Sequence, residues 1–186
     1  MLFTPFELID MVIMIAAVGY IFKDMFPHQI NPDDPVASIM NQGQSQFWSA
    51  VYAVAPAVLL HELGHKFSAL YFGIDATFHA AYLFLAVGVI LKFFNFPFIF
   101  FVPAYVSHAG SGPLHNAVIA IMGPLINGVL ALFCFLSLKF KFFDHRYSRI
   151  LQMSMTVNFF LLLLNLLPLP GIDGFQFYAS IWQLLS

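Results

Sequence analysis

Long apolar stretches, broken by a few short polar ones, divide this chain before any single residue is weighed. The first covers about residues 8–22 and is short for a hydrocarbon layer of ~30 Å unless 2–6 extend it. Residues 23–46 are the least hydrophobic; Pro27, Pro32, Pro35 and Gly43 mark a loop, with a short helix expected around 36–41. A second span follows over about 47–72. Residues 82–91 are apolar up to Lys92, and 96–106 are apolar again but carry Pro97 and Pro103. Within the latter, the aromatic and β-branched run 98–102 reads as β-prone or re-entrant rather than helical. Gly110, Gly112 and Pro113 make 107–114 a turn. Spans over about 115–138 and 150–167 flank a short basic loop, and a last short helix is expected over 175–185. The pattern predicts an all-α polytopic membrane protein with about six membrane segments. A short β-prone or re-entrant hairpin separates the second span from the later ones.

Composition sharpens that picture. Of 186 residues, 61% are hydrophobic and 9% charged, too few charges to cover a soluble domain of this size. The 24 phenylalanines suit lipid-facing and interfacial positions, so membrane lipid is the expected surrounding. A net charge of −2 and the lack of a basic patch argue against a nucleic-acid partner. The first ten residues hold Glu7 and Asp10 but no Lys or Arg, unlike the start of a cleaved signal peptide. Cys134 is the single cysteine, excludes an intrachain disulfide, and reads as a small core residue. No repeat or linker divides the chain, so residues 1–186 read as one domain, and nothing sets an oligomeric state.

The chemistry concentrates in His61-Glu62-Leu63-Gly64-His65, near the end of the second span. Residues four apart share a helix face, so His61 and His65 can offer two imidazole nitrogens to one metal ion. Glu62, one residue on, can reach a metal-bound water and act as its base. Ionisable groups are expensive inside a membrane, and there they mark function before ornament. A zinc site of this kind needs a third protein ligand. Among the acids, Asp173 follows a long apolar span in a Pro/Gly-rich segment able to aim a carboxylate inward. Asp-Gly is also an ordinary turn dipeptide. Asp144 reads more simply as a partner of Lys141 or Arg146, and Asp75 as a turn residue beyond the helix end. His79, His108 and His115 show no ligand spacing and read as loop or interfacial histidines.

The histidine motif on an apolar helix, followed by Asn165-Leu-Leu-Pro-Leu-Pro-Gly-Ile-Asp173-Gly174 after a later span, resembles the site-2 protease family of intramembrane zinc metalloproteases. The likeness covers about residues 47–174, a minimal core, and Gly123-Pro124-Leu125 also fits it. It departs at Ile172, where the family commonly has Leu or Met, and in the Phe-rich stretch 77–106. The resemblance implies one Zn2+ held by His61, His65 and Asp173, with Glu62 as general base. It implies that Asn165 positions the substrate backbone or the oxyanion. The implied reaction is hydrolysis of a peptide bond in or near a transmembrane helix of a protein substrate. Run 98–102 is a candidate edge for the unwound substrate strand, and Tyr52, Ser68 and Asn127 are candidates to line a water channel.

Two alternatives compete with this reading. A membrane zinc protease of the CAAX-processing type takes a downstream glutamate as ligand, and none follows Glu62. A catalytically silent zinc-binding scaffold would not need both an intact glutamate and a third ligand.

Topology gives an independent expectation. His65 and Asp173 lie toward the C-terminal ends of their spans, so these spans run in one direction and 115–138 runs oppositely. Residues 78–106 must then begin and end on the same face. Lys23, Lys139, Lys141, Arg146 and Arg149 fall opposite the metal end, with Lys66 and Lys92 expected beside it. The positive-inside rule would make the opposite end cytoplasmic. The resemblance implies instead a multi-pass protein of the cell membrane with the zinc site nearer the cytoplasmic face.

Overall fold

A computed structural model describes residues 2–26, 36, 40–96 and 102–186. The short helix expected around 36–41 lies largely outside them, as does most of the 98–102 run. Among the described residues, six α-helices and a two-stranded sheet follow in the order α1 Pro5–Phe22, α2 Gln42–Tyr71, β1 Ala76–Ala80, α3 Tyr82–Phe93, β2 Ala104–His108, α4 Pro113–Phe140, α5 Ser148–Asn165 and α6 Asp173–Leu185. Among the described residues, four helical stretches are long and apolar enough to cross a membrane: Pro5–Met25, Gln42–Tyr71, Pro113–Phe140 and His145–Asn165. That is consistent with a membrane protein. α3, at 12 residues, and α6, at 13, are shorter.

Local sequence explains the helix ends. Thr4 caps α1, its hydroxyl accepting from the Glu7 N–H while the Glu7 carboxylate accepts from the Thr4 N–H, and Pro5 opens the first turn. Glu7, Asp10, Met11, Met14, Val18 and Ile21 then fall on one buried face at helical spacing. α2 and α4 continue through Pro56 and Pro124.

Contacts fix the helix directions. The start of α1 meets the end of α2 through Glu7 and Lys66, and a Cβ on Gly19 would strike Val51 and Phe47. These two helices are antiparallel. Ser45, Gln46 and Ser49, near the start of α2, share a pocket with Arg149 and Ile150 at the start of α5, whereas the far ends meet at Asp173. α2 and α5 therefore run in one direction, as expected from the sequence. α4 runs against them, since Ile119 reaches His65 and Asn127 reaches Ala57.

Residues 78–106 do begin and end together, because β1 and β2 pair antiparallel with Phe78 opposite Val106 and Ala80 opposite Ala104. The strands lie at 76–80 and 104–108, flanking the expected hairpin. Between them α3 travels away from the sheet alongside α1: Tyr82 bonds Asp10 at its start and Lys92 bonds Asp24 near its end. Lys92 is thus not beside the metal end, as its place in the sequence suggested, because α3 carries it toward the end where Lys23 lies.

Candidate metal centre and active site

α2 presents His61 and His65 one turn apart, their rings 4.8 Å between centroids and their Nε2 atoms 3.1 Å apart. Asp173, the first residue of α6, brings Oδ2 to 2.9 Å from His61 Nε2 and 3.3 Å from His65 Nε2. A tetrahedral zinc with bonds of about 2.0–2.1 Å separates its ligand atoms by about 3.3 Å, close to this triangle. Among the described residues, His61, His65 and Asp173 form the one acid, cysteine and histidine cluster able to hold a metal ion. Asp75 and Asp144 stand apart from it; Asp144 pairs with Arg146 at 3.6 Å.

The hydrogen bonds around the triangle decide what can fill it. His61 Nδ1 lies 2.5 Å from Asn127 Oδ1, and His65 Nδ1 lies 2.7 Å from the Ile119 carbonyl. The Asn127 amide cannot be turned round, because its Nδ2 donates to the Ala57 carbonyl and to Asn158 Oδ1, each at 2.9 Å. Asn158 is held in turn by donating to the Ser154 carbonyl and hydroxyl. Both imidazoles therefore carry their proton on Nδ1 and point an Nε2 lone pair inward. The third atom, Asp173 Oδ2, is buried and accepts no hydrogen bond from the described residues. Three electron-pair donors converge with no proton among them, which is the donor set of a bound cation. The residues fit a zinc ion.

The place of Asp173 in the first turn of α6 favours the ionised carboxyl. Asp173 is thus a carboxylate near neutral pH, as a ligand must be.

Glycines let these parts meet. A Cβ on Gly123 would fall on both imidazoles, 2.7 Å from His61 Nε2, so α4 can lie against the ligand rings only with glycine there. This is what Gly123 does in an unbroken helix. Gly174 is likewise no turn residue: a Cβ there would come 2.7 Å from the Leu166 carbonyl carbon, where α6 crosses the end of α5. The turn that needs positive φ is at Gly171, at 87°.

The triangle opens into a cavity of about 200 Å3, whose lining includes Glu62, Asn165, Tyr105, Val106, His108 and Gln176. Glu62 is buried and Asn165 half-buried. The structure thus brings together all five residues singled out in the sequence. The three channel candidates do not line this cavity. Tyr52 is exposed and stacks on Trp48, Ser68 donates back to the His65 carbonyl of its own helix, and Asn127 is buried behind His61. His79 bonds Ser107 and stacks on Tyr105, and His115 stacks on Phe72, as structural histidines do; His108 faces the cavity.

No family model matches the sequence. No solved structure matches it either. Across 189 aligned positions the chain is 33% identical to a Methanocaldococcus jannaschii protein named "Putative zinc metalloprotease", an alignment covering 99% of this chain and 91% of that protein. The likeness runs the whole length of the chain, and the histidine pair and aspartate it would need as ligands lie together. The chain belongs to the zinc metalloprotease family of that archaeal protein.

Proposed function

We propose that this protein is an intramembrane zinc endopeptidase of the site-2 type, cutting a peptide bond in or beside a transmembrane segment of a protein substrate. The observation that carries the reading is the convergence of three proton-free donors beside buried Glu62, in a helical body of membrane-crossing dimensions. His61, His65 and Asp173 would hold a zinc ion, which would supply Lewis acidity to the hydrolysis near neutral pH. Glu62 takes a proton from the attacking water as its oxygen bonds to the scissile carbonyl carbon. It then delivers that proton to the departing nitrogen as the C–N bond breaks. The Asn165 amide, in the cavity wall, donates to the substrate backbone or the carbonyl oxygen as charge builds there.

A helical substrate shields its peptide bonds, so the substrate enters as an extended strand. The sheet offers a place for it. The Phe78 and Ala80 N–H groups point at α1, so the paired Val106 and Ala104 turn their backbone groups to the opposite edge of β2. Both residues line the cavity. Strand addition to β2 would lay a substrate backbone across it, a role the 98–102 run held in the sequence reading. In the cell membrane, the zinc end lies nearer the cytoplasmic face.

The test compares wild type with Glu62→Gln on single-span membrane proteins. Glu62→Gln is expected to keep its zinc and lose roughly 10²–10⁴-fold in cleavage rate. Cleavage at the wild-type rate would overturn the mechanism.

A further inference from the structure

Two carboxylates and an ammonium are buried away from the metal, and the hydrolytic steps use none of them. Glu7, Asp10 and Lys66 are 2%, 9% and 2% exposed. Glu7 Oε1 accepts from the Phe78 N–H at 2.7 Å and from Lys66 Nζ. Asp10 Oδ2 accepts from the Ala80 N–H at 3.1 Å, and Oδ1 from the Tyr82 hydroxyl. Lys66 Nζ donates to the Ala76 carbonyl at 3.0 Å. Ala76, Phe78 and Ala80 are the alternate residues whose backbone faces away from β2, so these three side chains cover the outer edge of β1 along its length. An exposed strand edge is a template for any extended chain. Closing it with charge-assisted bonds, about twice as strong as neutral ones, means that a competing strand must break them to enter.

The closed edge is also tied to the catalytic helix. Lys66 directly follows the ligand His65, so the residue that anchors β1 sits one position from the metal site. Sheet and metal site are thereby held in one register.

We propose that Glu7, Asp10 and Lys66 are positioning residues for the substrate: they close the β1 edge and fix the β2 edge, unpaired among the described residues, against the metal site, so that one bond of an added strand is presented to Glu62. This rests on the peptidase reading above. A strand keeps its two faces only when it slips in steps of two residues. Loosening the anchor therefore adds cuts two residues to either side of the principal bond.

The experiment uses the full-length protein and a membrane substrate, with Glu7→Gln combined with Asp10→Asn. Cut positions are read by mass spectrometry, kcat and KM are measured separately, and zinc is measured in each sample. Expected are full zinc, secondary cuts displaced by two residues, and a KM raised about tenfold, as for one lost charge-assisted hydrogen bond. A purely structural role would lower the folded yield and leave the cut position unmoved; that result, or an unchanged KM and a single cut, overturns the proposal. Tyr82→Phe guards against misfolding, since Tyr82 is 55% exposed and loses only its bond to Asp10. It is expected to give the same displaced cuts at a lower level, and their absence counts against the proposal.

A second readout needs no turnover. In Glu62→Gln, a photoreactive substrate is expected to cross-link to 104–108, spreading to 76–80 when the two acids are also neutralised. Cross-links confined to 76–80 in the otherwise unaltered protein would overturn the proposal while leaving the peptidase reading standing. A wild type that holds zinc but cuts nothing overturns both.

Discussion

Replacing Asn127 with leucine would leave a side chain of similar size in place and remove the acceptor that holds the His61 Nδ1 proton. The imidazole could then turn or shift its proton to Nε2, where it would oppose a metal. Loss of a group that orients a ligand in this way costs about 10–100-fold in metal affinity. Competition with a chelator in detergent is expected to show that loss for Asn127→Leu, with helix content unchanged by circular dichroism. An affinity equal to wild type would mean that the Asn127–Asn158 pair does not set the tautomer. The candidate ligands His61 and His65 were legible in the sequence because helix periodicity alone puts them on one face. Asn127 was read there as a candidate to line a water channel, not as a partner of His61. Its partners lie 66 and 31 residues away, so its role emerges only when α2, α4 and α5 pack.

Between elements, the Glu7–Lys66 pair joins α1 to α2. Removing one member of a buried ion pair leaves the other uncompensated and typically costs about 3–5 kcal/mol. Lys66→Met is therefore expected to lower the thermal midpoint in detergent strongly. Adding Glu7→Leu should recover much of that loss, since two apolar groups replace the pair. If the double variant is no more stable than Lys66→Met alone, the two residues are not coupled. Spans of about the right extent were legible because each is a long apolar run with polar ends. The strands were not. Ala-Thr-Phe-His-Ala has little intrinsic β preference, and it forms β1 because β2 on one side and the side chains of α1 and α2 on the other satisfy its backbone. The partners of Glu7 and Asp10 were not legible in the sequence, since the N–H groups they accept from lie 70 or so residues downstream.

At the scale of the molecule, the metal ligands come from α2 and α6, elements more than a hundred residues apart, so a bound ion closes the bundle at that end. A ligand that binds only the folded state stabilises it by mass action, about 4 kcal/mol at a thousand times its Kd. Stripping the zinc with a chelator is expected to lower the thermal midpoint, and adding zinc back should restore it; Asp173→Ala should show neither response. Orientation separates two physical arguments. Lys23, Lys92, Lys139, Lys141, Arg146 and Arg149 gather at the end away from the metal, and by the positive-inside rule that basic end would face the cytoplasm. Lys23, Lys139 and Arg146 also lie over the Tyr20, Phe135 or Phe140, and Tyr147 rings, as groups anchored at a headgroup boundary do. With the proposed orientation, a membrane-impermeant maleimide on intact cells labels Asp144→Cys and spares Gly110→Cys; the reverse pattern would show that the basic residues govern.

The acids of α1 also bear on how the chain is made. α1 leaves the ribosome before Lys66 and the β1 amides exist, so Glu7 and Asp10 reach the translocon without partners. An unpaired carboxylate disfavours partitioning of a lone helix into lipid by about 3 kcal/mol at the helix centre, and by less at Glu7 and Asp10 in the first two turns of α1. α1 is then a poor independent passenger. With the proposed membrane placement, α1 is expected to become committed to the bilayer together with α2 rather than before it.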